Sequence, residues 1–148
     1  MEFNIKMSDF VIQSKIVYIS NEYAFQTIPK LPTDVSLLFE NLCINISSDD
    51  NTVYSIDGYH PKTCWIDKEL IIPKCQEGKL IVNGNYESGD VKRLAPICTY
   101  QTFYDSKTGW LCIGTNKLNS TSVKILNNVI ATIKDKKMIA LWLNPEFK

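Results

Sequence analysis

The chain is short of two residue types that equip most active sites: in 148 residues it has one histidine, His60, and one arginine, Arg93. A lone histidine leaves little for the common imidazole-based catalytic sites and for histidine-rich metal sites. A lone arginine leaves the chain short of the forked donor used for bidentate contacts to guanine and phosphate, which disfavours nucleic-acid binding. No Gly-x-Ser-x-Gly elbow is present. No Gly-rich phosphate loop is present either, because Asn83-Gly84-Asn85 has neither a preceding Gly-x-Gly nor a following Lys-Ser/Thr. No apolar run approaches the roughly 18 residues that cross a bilayer. Met1–Lys6 has no basic flank followed by an apolar stretch, so it does not read as a signal peptide. The expectation is a soluble, cytoplasmic protein without membrane association.

The cysteines fit the same picture. Cys43, Cys64, Cys75, Cys98 and Cys112 are odd in number, and no pair has Cys-x-x-Cys spacing. That argues against a disulfide framework and against a zinc knuckle. Cys43, Cys98 and Cys112 sit in apolar runs, where a thiol acts as a small buried hydrophobe. No cofactor and no metal are expected.

What the chain does contain is apolar and aromatic side chains, 45% and 11% of the total, in a length that suits one domain spanning residues 1–148. The net charge is zero but unevenly spread. Residues 1–60 carry eight acids against three lysines, and the remainder carries thirteen basic residues against eight acids. Such a split suits a surface that attracts a basic partner.

Strand signals dominate. Val11–Ile19 is β-branched and aromatic, whereas Ser20–Pro32 is less regular and broken by Pro29 and Pro32. Val35, Leu38, Phe39 and Leu42 fall at helical spacing behind Thr33 or Asp34 as a cap, predicting a short helix over 34–42. Cys43–Ile46 and Val53–Ile56 flank a polar loop and predict a hairpin. Leu70–Pro73 and Leu80–Val82 suggest a second hairpin around Cys75–Gly78. A third, Cys98–Tyr104 with Trp110–Ile113, closes through Asp105-Ser106-Lys107-Thr108-Gly109, with Asp to start the turn and Gly where φ turns positive. Between 121 and 134 two readings compete. One is a helical stripe of Val123, Leu126, Ile130 and Ile133; the other is a hairpin of Val129–Ile133 and Met138–Leu143 about a charged turn, and length and β-branching favour the hairpin. The fold class is mainly β, α+β at most. It has about seven to nine mostly antiparallel strands and one or two short helices, since neighbouring connections are too short for parallel crossovers.

Few constellations carry chemistry. His60 with Cys64 would make a nucleophilic pair only if the imidazole reached the sulfur and a third group oriented it. Asp49-Asp50 is the adjacent acidic pair, placed in a hairpin loop. Trp65, Trp110 and Trp142 read as core anchors; Tyr54, Tyr59, Tyr100 and Tyr104 read as candidates for the exposed face, where tyrosine makes good contacts.

Gly58-Tyr59-His60-Pro61 followed by Trp65, then Gly109-Trp110, and the ending Val129–Ile133 with Leu141-Trp142-Leu143-Asn144-Pro145 are similar to the small immunity proteins of bacterial polymorphic-toxin and contact-dependent growth inhibition systems. The resemblance implies a cytoplasmic protein that binds and blocks one cognate toxin domain, often a basic nuclease. On this reading the chain has no catalytic residues; the families differ too widely for their contacts to be carried over, and the candidate partner contacts, Asp49, Asp50, Asp57 and Tyr59, come from their place on one expected hairpin and its exit. Two other classes remain open. One is a structural or regulatory interaction protein of a virus or mobile element; the other is a small hydrolase using carboxylates or a Cys/His pair.

Overall fold

Alternation of buried and exposed side chains sets the architecture almost from end to end. In the computed structural model, which describes residues 1–9, 12–94 and 100–148, the chain forms fifteen strands in one curled sheet. These are β1 (Phe3–Met7), β2 (Ile12–Ile19), β3 (Ala24–Ile28), β4 (Val35–Phe39), β5 (Leu42–Ile46), β6 (Val53–Tyr59), β7 (Trp65–Asp67) and β8 (Gln76–Val82). They continue with β9 (Val91–Arg93), β10 (Thr102–Tyr104), β11 (Leu111–Gly114), β12 (Thr121–Asn127), β13 (Val129–Lys134), β14 (Lys137–Leu143) and β15 (Glu146–Phe147). The main path runs β7-β10-β11-β14-β13-β12-β2-β3-β6-β5-β4-β9, with β1 on β8, β8 also on β12, and β15 on β2. The strand count exceeds the seven to nine expected. Among the described residues the helical content is one 3-10 turn, Lys62–Cys64.

The helix expected over 34–42 is instead the β4–β5 hairpin. Val35, Leu37 and Phe39 alternate inward and are buried, while Leu38 points to the other side. The chain reverses at Glu40-Asn41, with Glu40 at φ 54°, and Phe39 faces Leu42 in register. A stripe at i, i+3, i+4, i+7 and an alternation at i, i+2, i+4 shared Val35 and Phe39, and the turn at Glu40-Asn41 decided between them. The segment Ser20–Pro32, read as irregular, contains β3, which pairs with β2 and β6. The hairpin of β5 with β6 forms as expected, and so does β10 with β11, with Gly109 at φ +86°; Cys98 and Thr99 lie outside the described residues.

Among the described residues nine strand pairings are antiparallel and five parallel. The parallel ones join segments remote in sequence, such as Val17 with Glu146 and Thr102 with Trp65. Short connections between neighbouring strands therefore did not forbid them.

The C-terminal ambiguity resolves as strands. β12, β13 and β14 form a meander, with Asn128 at φ 62° in the first turn and Asp135 and Lys136 at φ 51° and 64° in the second. Every residue from Val129 to Ile133 is buried. On one face Val129 and Ala131 join a single large core with Ile16 of β2, Phe25 of β3, Leu37 of β4, Ile44 of β5 and Ile56 of β6. On the other face Ile130, Ala140, Trp142 and Cys112 form a second cluster, covered by Leu70, Ile72 and Trp110. The Leu70–Pro73 segment is thus not a hairpin strand. It is an unpaired strap across the outside of β11–β14–β13, while β8 pairs with β1 and β12 instead. Pro73 withholds a ladder donor. Buried Asp105 ties the strap down: its carboxylate accepts the Leu70 N–H at 3.0 Å and the Lys107 N–H at 3.0 Å. A sheet covered on both faces explains why this stretch reads as a continuous apolar run and not as an alternating one.

Candidate functional site: an acidic end built from three loops

Three connections meet at one end of the sheet: residues 29–34 before β4, residues 47–52 between β5 and β6, and residues 83–90 between β8 and β9. They are bonded to each other and are not independent loops. The Asp34 carboxylate accepts the Ser48 N–H at 2.7 Å and the Ser48 hydroxyl at 2.5 Å. The Asp34 carbonyl accepts the Gly89 N–H at 2.7 Å, and the Asp90 carbonyl accepts the Ser36 N–H at 3.0 Å. Asn51 closes the other side, its amide donating to the Val82 and Gly84 carbonyls at 3.0 and 2.8 Å.

This end carries Asp34, Asp49, Asp50, Glu87 and Asp90. The hydroxyl and then the backbone N–H of Ser48 hold the Asp34 carboxyl below the usual carboxylate range. Partial burial pushes Asp50 up, but the Tyr54 hydroxyl at 2.6 Å and the Thr52 N–H at 3.0 Å outweigh it, and the net shift is downward. Both groups are therefore ionised at neutral pH. Between the 48–51 and 83–86 segments lies an open hollow of about 460 Å³, with Asp49, Asp50, Asn83 and Tyr86 among its walls. Lys79 is the cation close enough to act on Asp50.

Of the four contact residues expected from sequence, Asp49 and Asp50 lie here, and the other two do not. Asp57 is half-buried in the sheet and already engaged. It accepts the Thr27 N–H at 3.0 Å and the Asn45 amide at 2.8 Å, and pairs with Lys30 at 2.9 Å. Tyr59 is at the far end of β6, roughly 20 Å away along a seven-residue strand. There it is 55% exposed and meets Tyr23 edge-to-face at 6.4 Å. The site also contains Asp34, which the sequence presents as a helix cap, and Glu87 and Asp90, which lie in a turn-rich stretch with no local mark of a site. The charge excess of residues 1–60 did not anticipate them, because Glu87 and Asp90 belong to the other portion.

His60 serves the core. It is 5% exposed, and the Trp65 indole N–H donates to its Nδ1 at 2.9 Å. An indole nitrogen only donates, so Nδ1 is the unprotonated nitrogen; the proton sits on Nε2 and faces the Thr102 hydroxyl at 3.0 Å. The ring is therefore neutral, and burial holds its pKa below the ordinary value. Around it Tyr18, Phe25, Trp65, Tyr104 and Phe147 pack ring on ring, with centroids such as Tyr18–Phe25 at 4.9 Å and Trp65–Tyr104 at 5.2 Å. The Lys62 ammonium lies 4.9 Å over the Phe147 ring. Both ring nitrogens are engaged, by Trp65 and Thr102, and among the described residues neither meets a thiol; Cys64 is exposed.

Among the described residues, no group of His, Cys, Asp and Glu is arranged to hold a metal ion, and no helix is long and apolar enough to cross a membrane. The chain matches no protein-family model and no curated protein.

Proposed function

We propose that this chain is a stoichiometric protein-binding module of the immunity type, which binds and blocks a cognate basic toxin domain with its acidic three-loop end. The observation that carries this reading is the mutual bonding of the loops. Five carboxylates are held on a framework already fixed by Asp34, Ser48, Asn51 and Asp90, so little ordering entropy is lost on docking. Asp49 and Asp50 steer the encounter, and neighbouring Tyr54 and Tyr86 supply apolar contact area.

The test uses the full chain as bait in a strain that encodes a candidate toxin beside this gene. Wild type recovers one basic protein in equimolar amount and rescues growth when that protein is expressed; Asp49→Lys/Asp50→Lys does neither while remaining folded. Recovery of no equimolar partner, or equal rescue by the charge-reversed variant, overturns the assignment.

A further inference from the structure

Asn83-Gly84 is the chain's one Asn-Gly dipeptide, and it sits on the rim of the acidic hollow. An Asn side chain followed by Gly is open to attack by the next backbone nitrogen, because no Cβ shields the approach. Whether a folded protein permits the attack depends on the bonds around the two residues. Here the Gly84 residue is exposed at φ +133°, just past the end of β8, and its N–H has no partner among the described residues. The electrophile is held and polarised: the exposed Asn4 amide on β1 donates to the Asn83 side-chain oxygen at 2.6 Å. Negative charge develops on that oxygen as the nitrogen adds, and a donor already in place stabilises it, as in an oxyanion hole. The Asn83 N–H bonds the Glu2 carbonyl at 2.9 Å, the Asn83 carbonyl accepts from the Tyr86 hydroxyl at 3.3 Å and the Gly84 carbonyl accepts from Asn51 at 2.8 Å, so the backbone on either side of the reacting nitrogen is held while the nitrogen itself is left unbonded.

We infer that Asn83-Gly84 is a self-modification site, at which Asn4 is a positioning residue. Hydroxide takes the proton from the Gly84 nitrogen, and that nitrogen bonds to the Asn83 side-chain carbonyl carbon. The carbon–nitrogen bond of the side-chain amide breaks, and ammonia leaves with a proton from water. Water then opens the cyclic imide at either carbonyl, giving aspartate or isoaspartate at position 83; no electrons are transferred. Each product places a new carboxylate beside Asp49 and Asp50. On the function proposed above, and resting on it, this strengthens the field that attracts a basic partner. The isoaspartate form also lengthens the backbone next to the Gly84 carbonyl and loosens the Asn51 clamp.

The experiment incubates the folded full chain at mildly alkaline pH and follows position 83 by peptide mapping, with the urea-unfolded chain as reference. Conversion at Asn83 precedes that at every other asparagine and proceeds within a few-fold of the unfolded rate. Asn83→Gln abolishes it. Asn4→Asp, which accepts but cannot donate, slows it several-fold in the folded chain and leaves the unfolded rate and the thermal midpoint unchanged. A folded rate more than tenfold below the unfolded one, or one indifferent to Asn4→Asp, overturns the inference. These readouts need no partner, so failure here is distinct from failure of the proposed function.

Discussion

At the scale of single residues, two polar groups inside the fold decide how it responds to acid. His60 is neutral because the Trp65 indole N–H occupies its Nδ1. Above its ordinary value of 6.5, native and unfolded chains are both neutral at this position and stability is at its full level. As pH falls below that value the unfolded chain takes up a proton that the native chain refuses, so stability declines toward the lowered native pKa. Thermal melts over this range are expected to show a falling midpoint in the wild type. The same stretch is flat in His60→Asn, whose melting point is lower throughout. Asp105 behaves in the opposite sense to a buried neutral carboxyl: the backbone N–H groups of Leu70 and Lys107 lower its pKa and keep it ionised, and its contribution is lost as pH falls below the ordinary carboxylate range through that lowered value. Beneath the strap that it anchors, burial raises the Cys112 thiol to about 12, which makes it unreactive. Asp105→Ala releases the strap and is expected to accelerate thiol labelling of Cys112 in the folded protein, measured against Cys64 and Cys75 as exposed references.

At the scale of elements, the sequence was most readable where a turn left a chemical mark. The loop from Asp105 to Gly109, the polar residues between β5 and β6, and Lys134-Asp135-Lys136-Lys137 each located a hairpin that the fold contains. It was least readable where two periodicities shared side chains, as at Val35–Leu42, or where an element's partner lay far along the chain. Nothing local marks β8 as the partner of β1, or Leu70–Pro73 as a strap. The β13–β14 turn also shows a local cost: Asp135 and Lys136 both adopt positive φ, the requirement of a type I′ turn, which favours glycine at the second position. Lys136→Gly is expected to stabilise the protein by about 1 kcal/mol, read from denaturant unfolding at constant m-value.

At the scale of the whole molecule, one core joins Leu37 and Ile44 of β4 and β5 to Leu141 and Leu143 of β14. Unfolding is therefore expected to be cooperative, with tryptophan fluorescence and far-UV circular dichroism giving one transition. Separate transitions would mean that the strap side, with Trp110 and Trp142, opens on its own. The candidate site is likewise a property of the whole molecule. Asp49 and Asp50 were visible in sequence as an acidic loop, but their company was not, because Asp34, Glu87 and Asp90 reach them only through the pairing of β4 with β9 and of β4 with β5. Asp57 looked equivalent to them as a letter in the chain and differs from them through Lys30, Thr27 and Asn45.

The pairing of β2 carries a consequence for biosynthesis. Its Ile12 and Lys15 lie beside β12, and its Val17 and Tyr18 lie beside Glu146 and Phe147. A ribosome adding about 5–20 residues per second needs roughly ten seconds to travel from one partner to the other. During that interval Tyr18, fully buried in the finished protein, has neither the strand nor the Phe147 ring that will cover it. The nascent chain can close its early hairpins as they emerge, but this strand waits until Glu146 and Phe147 have been made.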